Sequence, residues 1–128
     1  MGKKGIKAKD VPEPNRLFSR GIVIENPKKM IFLSGICSQA EGIREQTMEV
    51  FKHIQSLLEA AGASWGDVVS CLFFLKDMKR DFEEFDRARK ECFEKAGIGQ
   101  PYPTSTGVQA TMVNERYLIE MEVMAVIS

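Results

Sequence analysis

The sequence predicts a single α+β domain in which two helices cover one face of a mixed sheet. Three observations carry this expectation. From Tyr117 onward, alternate positions are Tyr117, Ile119, Met121, Val123, Ala125 and Ile127, a period-2 apolar pattern that marks a strand. Two earlier segments space their apolar residues by three and four, which draws one stripe along each of two helices. A chain of 128 residues is large enough for one core and too short for two.

Taken in order, residues 1–15 read as a tail and extended connector, and 16–128 as the domain. Lys3, Lys4, Lys7 and Lys9 form the single basic cluster and are expected to be a solvated tail. Leu17–Glu25 reads as a strand with an irregularity at Gly21, and Asn26-Pro27-Lys28-Lys29 as a turn. Met30–Leu33 is a short apolar strand stopped by Ser34-Gly35, and the two strands are expected to form a hairpin. Glu41–Ala61 is the first helix, striped by Ile43, Val50, Phe51, Ile54, Leu57, Leu58 and Ala61 and ended by Gly62. Asp67–Leu75 (DVVSCLFFL) is apolar on both alternating faces, as in a strand covered on both sides. The second helix is expected to start at Asp81, with Asp81 and Glu84 as its capping pair, and to end before Gly97. Its stripe is Phe82, Phe85, Ala88, Cys92, Phe93 and Ala96. Pro101 and Pro103 favour extended backbone, Thr104–Val113 reads as a strand, and Asn114-Glu115-Arg116 is turn chemistry leading into the final strand. The element order is β-β-α-β-α-β-β.

Composition narrows the function classes. Lysine plus arginine and aspartate plus glutamate both number 18, so the net charge is zero. Bulk attraction to nucleic acid or to a membrane surface is therefore not indicated. The first twenty residues lack a continuous apolar segment, so no signal peptide is expected, and no stretch reaches transmembrane length. Cys37, Cys71 and Cys92 are odd in number and far apart, without zinc or disulfide spacing, which suits a reducing cytoplasm. His53 is the sole histidine and falls on the polar side of its helix, so donors for a transition-metal site or a Ser-His-Asp triad are lacking.

One mismatch points to assembly. Two helices can cover one face of a sheet, yet the final strand also carries Leu118, Met124 and Val126 on its other face. Such an apolar face marks an interface, and a symmetric homo-oligomer follows, with Glu120 and Glu122 lining clefts between copies.

The ordered combination of Leu33-Ser34-Gly35, Ala60-Ala61-Gly62, Trp65-Gly66-Asp67-Val68-Val69, Pro103 and the closing Ile119–Val126 resembles the reactive intermediate deaminase family. This family is also known as RidA or YjgF, and by older translation-inhibitor and L-PSP ribonuclease-like labels. The resemblance covers residues 16–127. It implies a chorismate-mutase-like homotrimer with clefts at its subunit interfaces, which hydrolyses reactive enamines and imines without a cofactor.

In site terms, the resemblance assigns Glu120 to position the attacking water, with Ser34 and Gly35 in the cleft. Phe18 falls where the deaminases often carry Tyr. The substrate-gripping arginine position falls on Ser105, within Pro103-Thr104-Ser105-Thr106-Gly107, and Gly107 stands where Cys is frequent. A serine offers one neutral hydrogen bond in place of a bidentate guanidinium, so a carboxylated substrate loses its main anchor. Ser105, Thr106 and Gly107 could instead hold a carbonyl, a hydroxyl or a phosphate, and Arg20 and Arg116 are the candidates for a replacement cation. Three function classes follow: a small-molecule hydrolase or deaminase, a non-catalytic trimer that binds a metabolite, and, weakest on charge, a protein acting on RNA.

Overall fold

Hydrophobic alternation translates into a four-stranded mixed sheet backed by two helices. A computed structural model describes residues 2–128. Its strands are β1 (Lys3–Gly5), β2 (Ile22–Ile24), β3 (Lys29–Phe32), β4 (Val68–Leu75), β5 (Thr104–Gln109) and β6 (Ile119–Ile127). Its helices are α1 (Ile43–Ala60) and α2 (Met78–Ala96). The main sheet runs β3-β6-β4-β5, with β6 antiparallel to both neighbours and β4 parallel to β5.

Ile119, Met121, Val123 and Ala125 of β6 and Cys71, Phe73 and Leu75 of β4 are buried on the helix side. They meet Val50, Ile54 and Leu58 of α1 and Phe85 and Phe93 of α2 in one core. The other face lacks helices. There Phe32 is 68% and Met30 52% exposed, beside half-buried Met124, Leu72 and Phe74. The expected uncovered apolar face is present.

Four readings need correction. The hairpin between the first two predicted strands is absent: β2 pairs with β1, and β3 pairs with β6. Asn26, at φ 52°, turns the chain out of one sheet and into the other, and Lys28 N–H then donates to Ile127 O. Leu17–Glu25 shortens to Ile22–Ile24, leaving Phe18 outside a regular strand. That short strand has an open edge, which Lys3–Gly5 fills, while Lys7 and Lys9 stay exposed as expected. Lys3 pairs with Ile24, Ile6 N–H donates to Gly21 O, and Lys3 Nζ reaches Gly66 O at 2.8 Å.

The second helix begins at Met78, not Asp81. Asp77 caps it by accepting from Arg80 N–H at 3.1 Å, which leaves Asp81 one turn inside, buried and paired with Arg80. The predicted end holds: Gly97 takes the left-handed conformation at φ 69° that favours glycine. β5 and β6 flank β4 on opposite sides. Buried Gln46 of α1 secures the connection between them, donating to Arg116 O and accepting from Leu118 N–H, both at 2.8 Å.

Candidate functional site

Strand alternation divides the predicted site residues into two groups. Glu120 pairs across the ladder with Phe74, so it shares the uncovered face of the sheet. Ser34 and Gly35 continue from the end of β3 alongside β6, held where Ile36 and Met121 exchange backbone hydrogen bonds. Gly35 lies directly against the Glu120 carboxylate: a Cβ there would stand 2.0 Å from Glu120 Oε2. The structure thus brings Gly35 and Glu120 together, with exposed Ser34 beside them. Cys37, which the motif reading passed over, joins this group. Burial, then the charge of the neighbouring Glu120 and a hydrogen bond to it, push its thiol up to about 11.

The second group sits at β5. Ser105 pairs with Cys71, whose side chain is buried on the helix side, so Ser105 faces α2. Thr106 and Gly107 are exposed on the same edge strand. The segment carrying Phe18 runs alongside: Ser19 N–H donates to Pro103 O, and Ser19 bridges Thr104. One chain therefore does not join the two groups. Ser105 faces the helices, whereas Thr106, paired with Leu72, shares the uncovered face with Glu120, and β4 separates β5 from β6, so the strands are roughly 10 Å apart.

Ser105 and Gly107 both pack against residues beneath the strand. Arg89 of α2 is only 3% exposed and donates from Nη1 to Ser105 Oγ at 3.2 Å. Its guanidinium stacks 5.3 Å from the Phe73 ring centroid and 5.1 Å from that of Phe85. Phe73 in turn lies over Gly107, where a Cβ would meet ring carbon Cζ at 2.2 Å. Glycine at 107 is what lets that ring reach across β5. Arg20 and Arg116, the cations expected near Ser105, are engaged elsewhere. Arg20 Nε donates to Pro12 O and its guanidinium lies over Phe18, while Arg116 is exposed beside Asn114. The signal for Arg89 was in the sequence: it sits four residues from both Phe85 and Phe93, a charge on the apolar stripe of α2.

This geometry defines an α+β protein with two helices on one face of a mixed sheet, Glu120 on the uncovered apolar face and Ser105 against α2. The chain belongs to the endoribonuclease L-PSP family, whose model matches residues 8–127. It is 33% identical to a RutC family protein of Pyrococcus abyssi, over 98% of both chains. TdcF of Escherichia coli, named a candidate reactive intermediate deaminase, is 27% identical over 76% of this chain and 78% of its own. A Rid-family structure from Yersinia pestis shares the fold with a TM-score of 0.81 at 16% identity, covering 99% of this chain and all (100%) of that one.

Proposed function

We propose that the protein is a homotrimer whose clefts join Gly35 and Glu120 of one copy to Phe18, Ser105, Thr106 and Gly107 of another, and that it hydrolyses a small imine- or enamine-type metabolite. The observation that carries this reading is the seating of the Glu120 carboxylate on Gly35, on an apolar sheet face that a neighbouring copy would cover. Family membership with a deaminase-named relative supports the reaction class.

In that cleft Glu120 accepts a proton from water as the oxygen attacks the imine carbon. It returns that proton to nitrogen, which gives a carbinolamine, and then carries the carbinolamine hydroxyl proton to the same nitrogen as the C=O bond forms. The C–N bond breaks, a carbonyl compound and ammonia leave, and no oxidant or reductant is required. One carboxylate within reach of both the attacking water and the nitrogen can serve first as base and then as acid, as general acid–base catalysis needs. The ribonuclease wording of the family description finds no support in a chain of zero net charge, because RNA affinity rests on phosphate neutralisation.

Glu120→Gln tests this reading, because it preserves shape and removes the base. Ammonia release from 2-iminobutanoate should fall on the order of a hundredfold. Sedimentation should still give close to three times 14.4 kDa. A variant that dissociates yet keeps its turnover per folded site would make Glu120 an interface residue and end the catalytic assignment. Undiminished turnover would end it equally, and binding without turnover in the unaltered protein would leave a metabolite-binding trimer.

A further inference from the structure

A groove opens between α1 and α2 on the helix side of the sheet, away from the apolar face that carries Glu120. It encloses about 630 Å³, within the range of small-ligand sites. Its floor is apolar. The half-buried side chains of Met48 and Cys92 meet there with their sulfurs 3.5 Å apart, and the rings of Phe51 and Trp65 lie beneath them. Those rings stack with centroids 4.6 Å apart, and Trp65 Nε1 donates to Phe51 O at 3.2 Å. With the indole N–H already engaged, the floor offers sulfur and ring edges, and it is ordered before a ligand arrives.

The rim is cationic. The carboxylates that α1 and α2 bring near the groove are taken up by arginine. Glu91 accepts from Arg44 Nη2 at 2.6 Å, and Glu84 pairs with Arg44 at 3.6 Å and with Arg87 at 3.0 Å. Among the described residues neither Lys52 nor Lys95 has a carboxylate within ion-pair distance. Arg44 holds the Glu91 carboxyl below its ordinary range, and Lys95 adds only a smaller share. Both lysines are exposed, one on each helix, and both line the groove. Glu45, the only carboxylate on the lining, stands beside Arg44, seven residues from Lys52 and so roughly 10 Å away along α1. Two unpaired ammonium groups over a floor of sulfur and aromatic carbon fit a ligand with one apolar end and one anionic end.

We propose that this groove is a second ligand site, separate from the Glu120 face, for a small arylalkyl carboxylate. The ring lies on Met48 and Cys92 above the edge of Trp65, and the carboxylate meets Lys52 and Lys95. Burial of the ring supplies most of the affinity, and the two ammonium groups select the anion. Lysines are flexible point charges rather than a planar fork, so the site selects for charge and an apolar body more than for a fixed carboxylate geometry. The assignment is independent of the hydrolytic reading of Glu120.

The test titrates 4-phenylbutyrate and its uncharged analogue 4-phenylbutan-1-ol into the assembled protein, read by calorimetry and by the emission of Trp65, the sole tryptophan. The acid should bind about tenfold more tightly than the alcohol, the scale that two exposed ion pairs supply, and added salt should narrow the gap. Both compounds should shift the Trp65 emission. Replacing both lysines, Lys52→Gln with Lys95→Gln, should bring the two affinities to near parity, and these exposed side chains can change without disturbing the core. Cys92→Phe should fill the groove and weaken both compounds alike, while Glu120→Gln should leave both affinities unchanged. Equal binding of acid and alcohol by the unaltered protein overturns the site, as does a preference that survives loss of both lysines. Heat of binding without a Trp65 response, or binding lost in Glu120→Gln, places the ligand elsewhere and overturns it too. Failure of both compounds to bind overturns the groove and leaves the Glu120 reading untouched.

Discussion

Gly35 and Gly107 occupy similar positions in the two halves of the site, and their surroundings differ in kind. An added Cβ at Gly35 would stand 2.0 Å from Glu120 Oε2, the free end of a flexible side chain. At Gly107 it would stand 2.2 Å from a ring atom of Phe73. That ring is wedged against Phe85, with centroids 4.5 Å apart, and against Phe82 at 6.3 Å. The first obstacle can swing away at little energetic cost but would carry the carboxylate out of place. The second cannot move without disturbing the core. A close-packed glycine thus seats a carboxylate on the uncovered face and lets core packing close on the helix face.

Four experiments bear on that contrast. The largest effect is expected from Phe85→Ala, which removes a fully buried ring that touches both Phe73 and the Arg89 guanidinium. Denaturant unfolding should show a loss of about 3–5 kcal/mol. On the opposite face, Phe32→Ala should act on assembly instead, lowering the trimer fraction at micromolar concentration. A larger stability loss from Phe32→Ala than from Phe85→Ala would mean that the helix face is not the core.

Gly107→Ala comes next. Overpacking against the Phe73 ring should cost about 1–3 kcal/mol, read as a lowered melting temperature. Gly35→Ala should cost less than about 1 kcal/mol, since a carboxylate end can rotate away, yet it should abolish hydrolysis along with the seat of Glu120. Equal stability losses in the two variants would break the comparison.

The smallest effects concern the thiols. Burial pushes Cys71 up to about 12, and burial with the Glu120 charge pushes Cys37 up to about 11, from an ordinary 9.0. A group whose folded value is raised stabilises fully below its unfolded value and loses that contribution as pH rises through the folded one. Stability should therefore decline above pH about 9 and continue to fall towards 11–12. Iodoacetamide at pH about 8 should leave Cys71 untouched until unfolding and alkylate Cys37 slowly. Because Glu120 holds the Cys37 proton in place, Glu120→Gln should quicken that alkylation. An unchanged rate would separate Cys37 from the Glu120 group.

The positions of the helices and of β4 and β6 were legible because burial imposes a period. Apolar residues every 3.6 or every 2 positions have one stable placement, and Gly62 and Gly97 end the two helices as their types suggest. The apolar face left bare by two helices followed from the same alternation. Glu120 and Gly35 could be singled out through the family resemblance, since both lie on segments whose spacing is regular.

Pairing was another matter. A strand's sequence encodes which residues share a face but not which strand lies beside it, so the sequence pairs Leu17–Glu25 with Met30–Leu33, whereas Ile22–Ile24 lies beside Lys3–Gly5. Arg89 shows where the limit matters most. The sequence alone determined that a charge interrupts the apolar stripe of α2 and that a serine stands third in Pro103-Thr104-Ser105 on β5. Only the tertiary structure decided that these are one arrangement, because a contact across sixteen residues depends on how α2 lies over the sheet, and local periodicity carries no record of that.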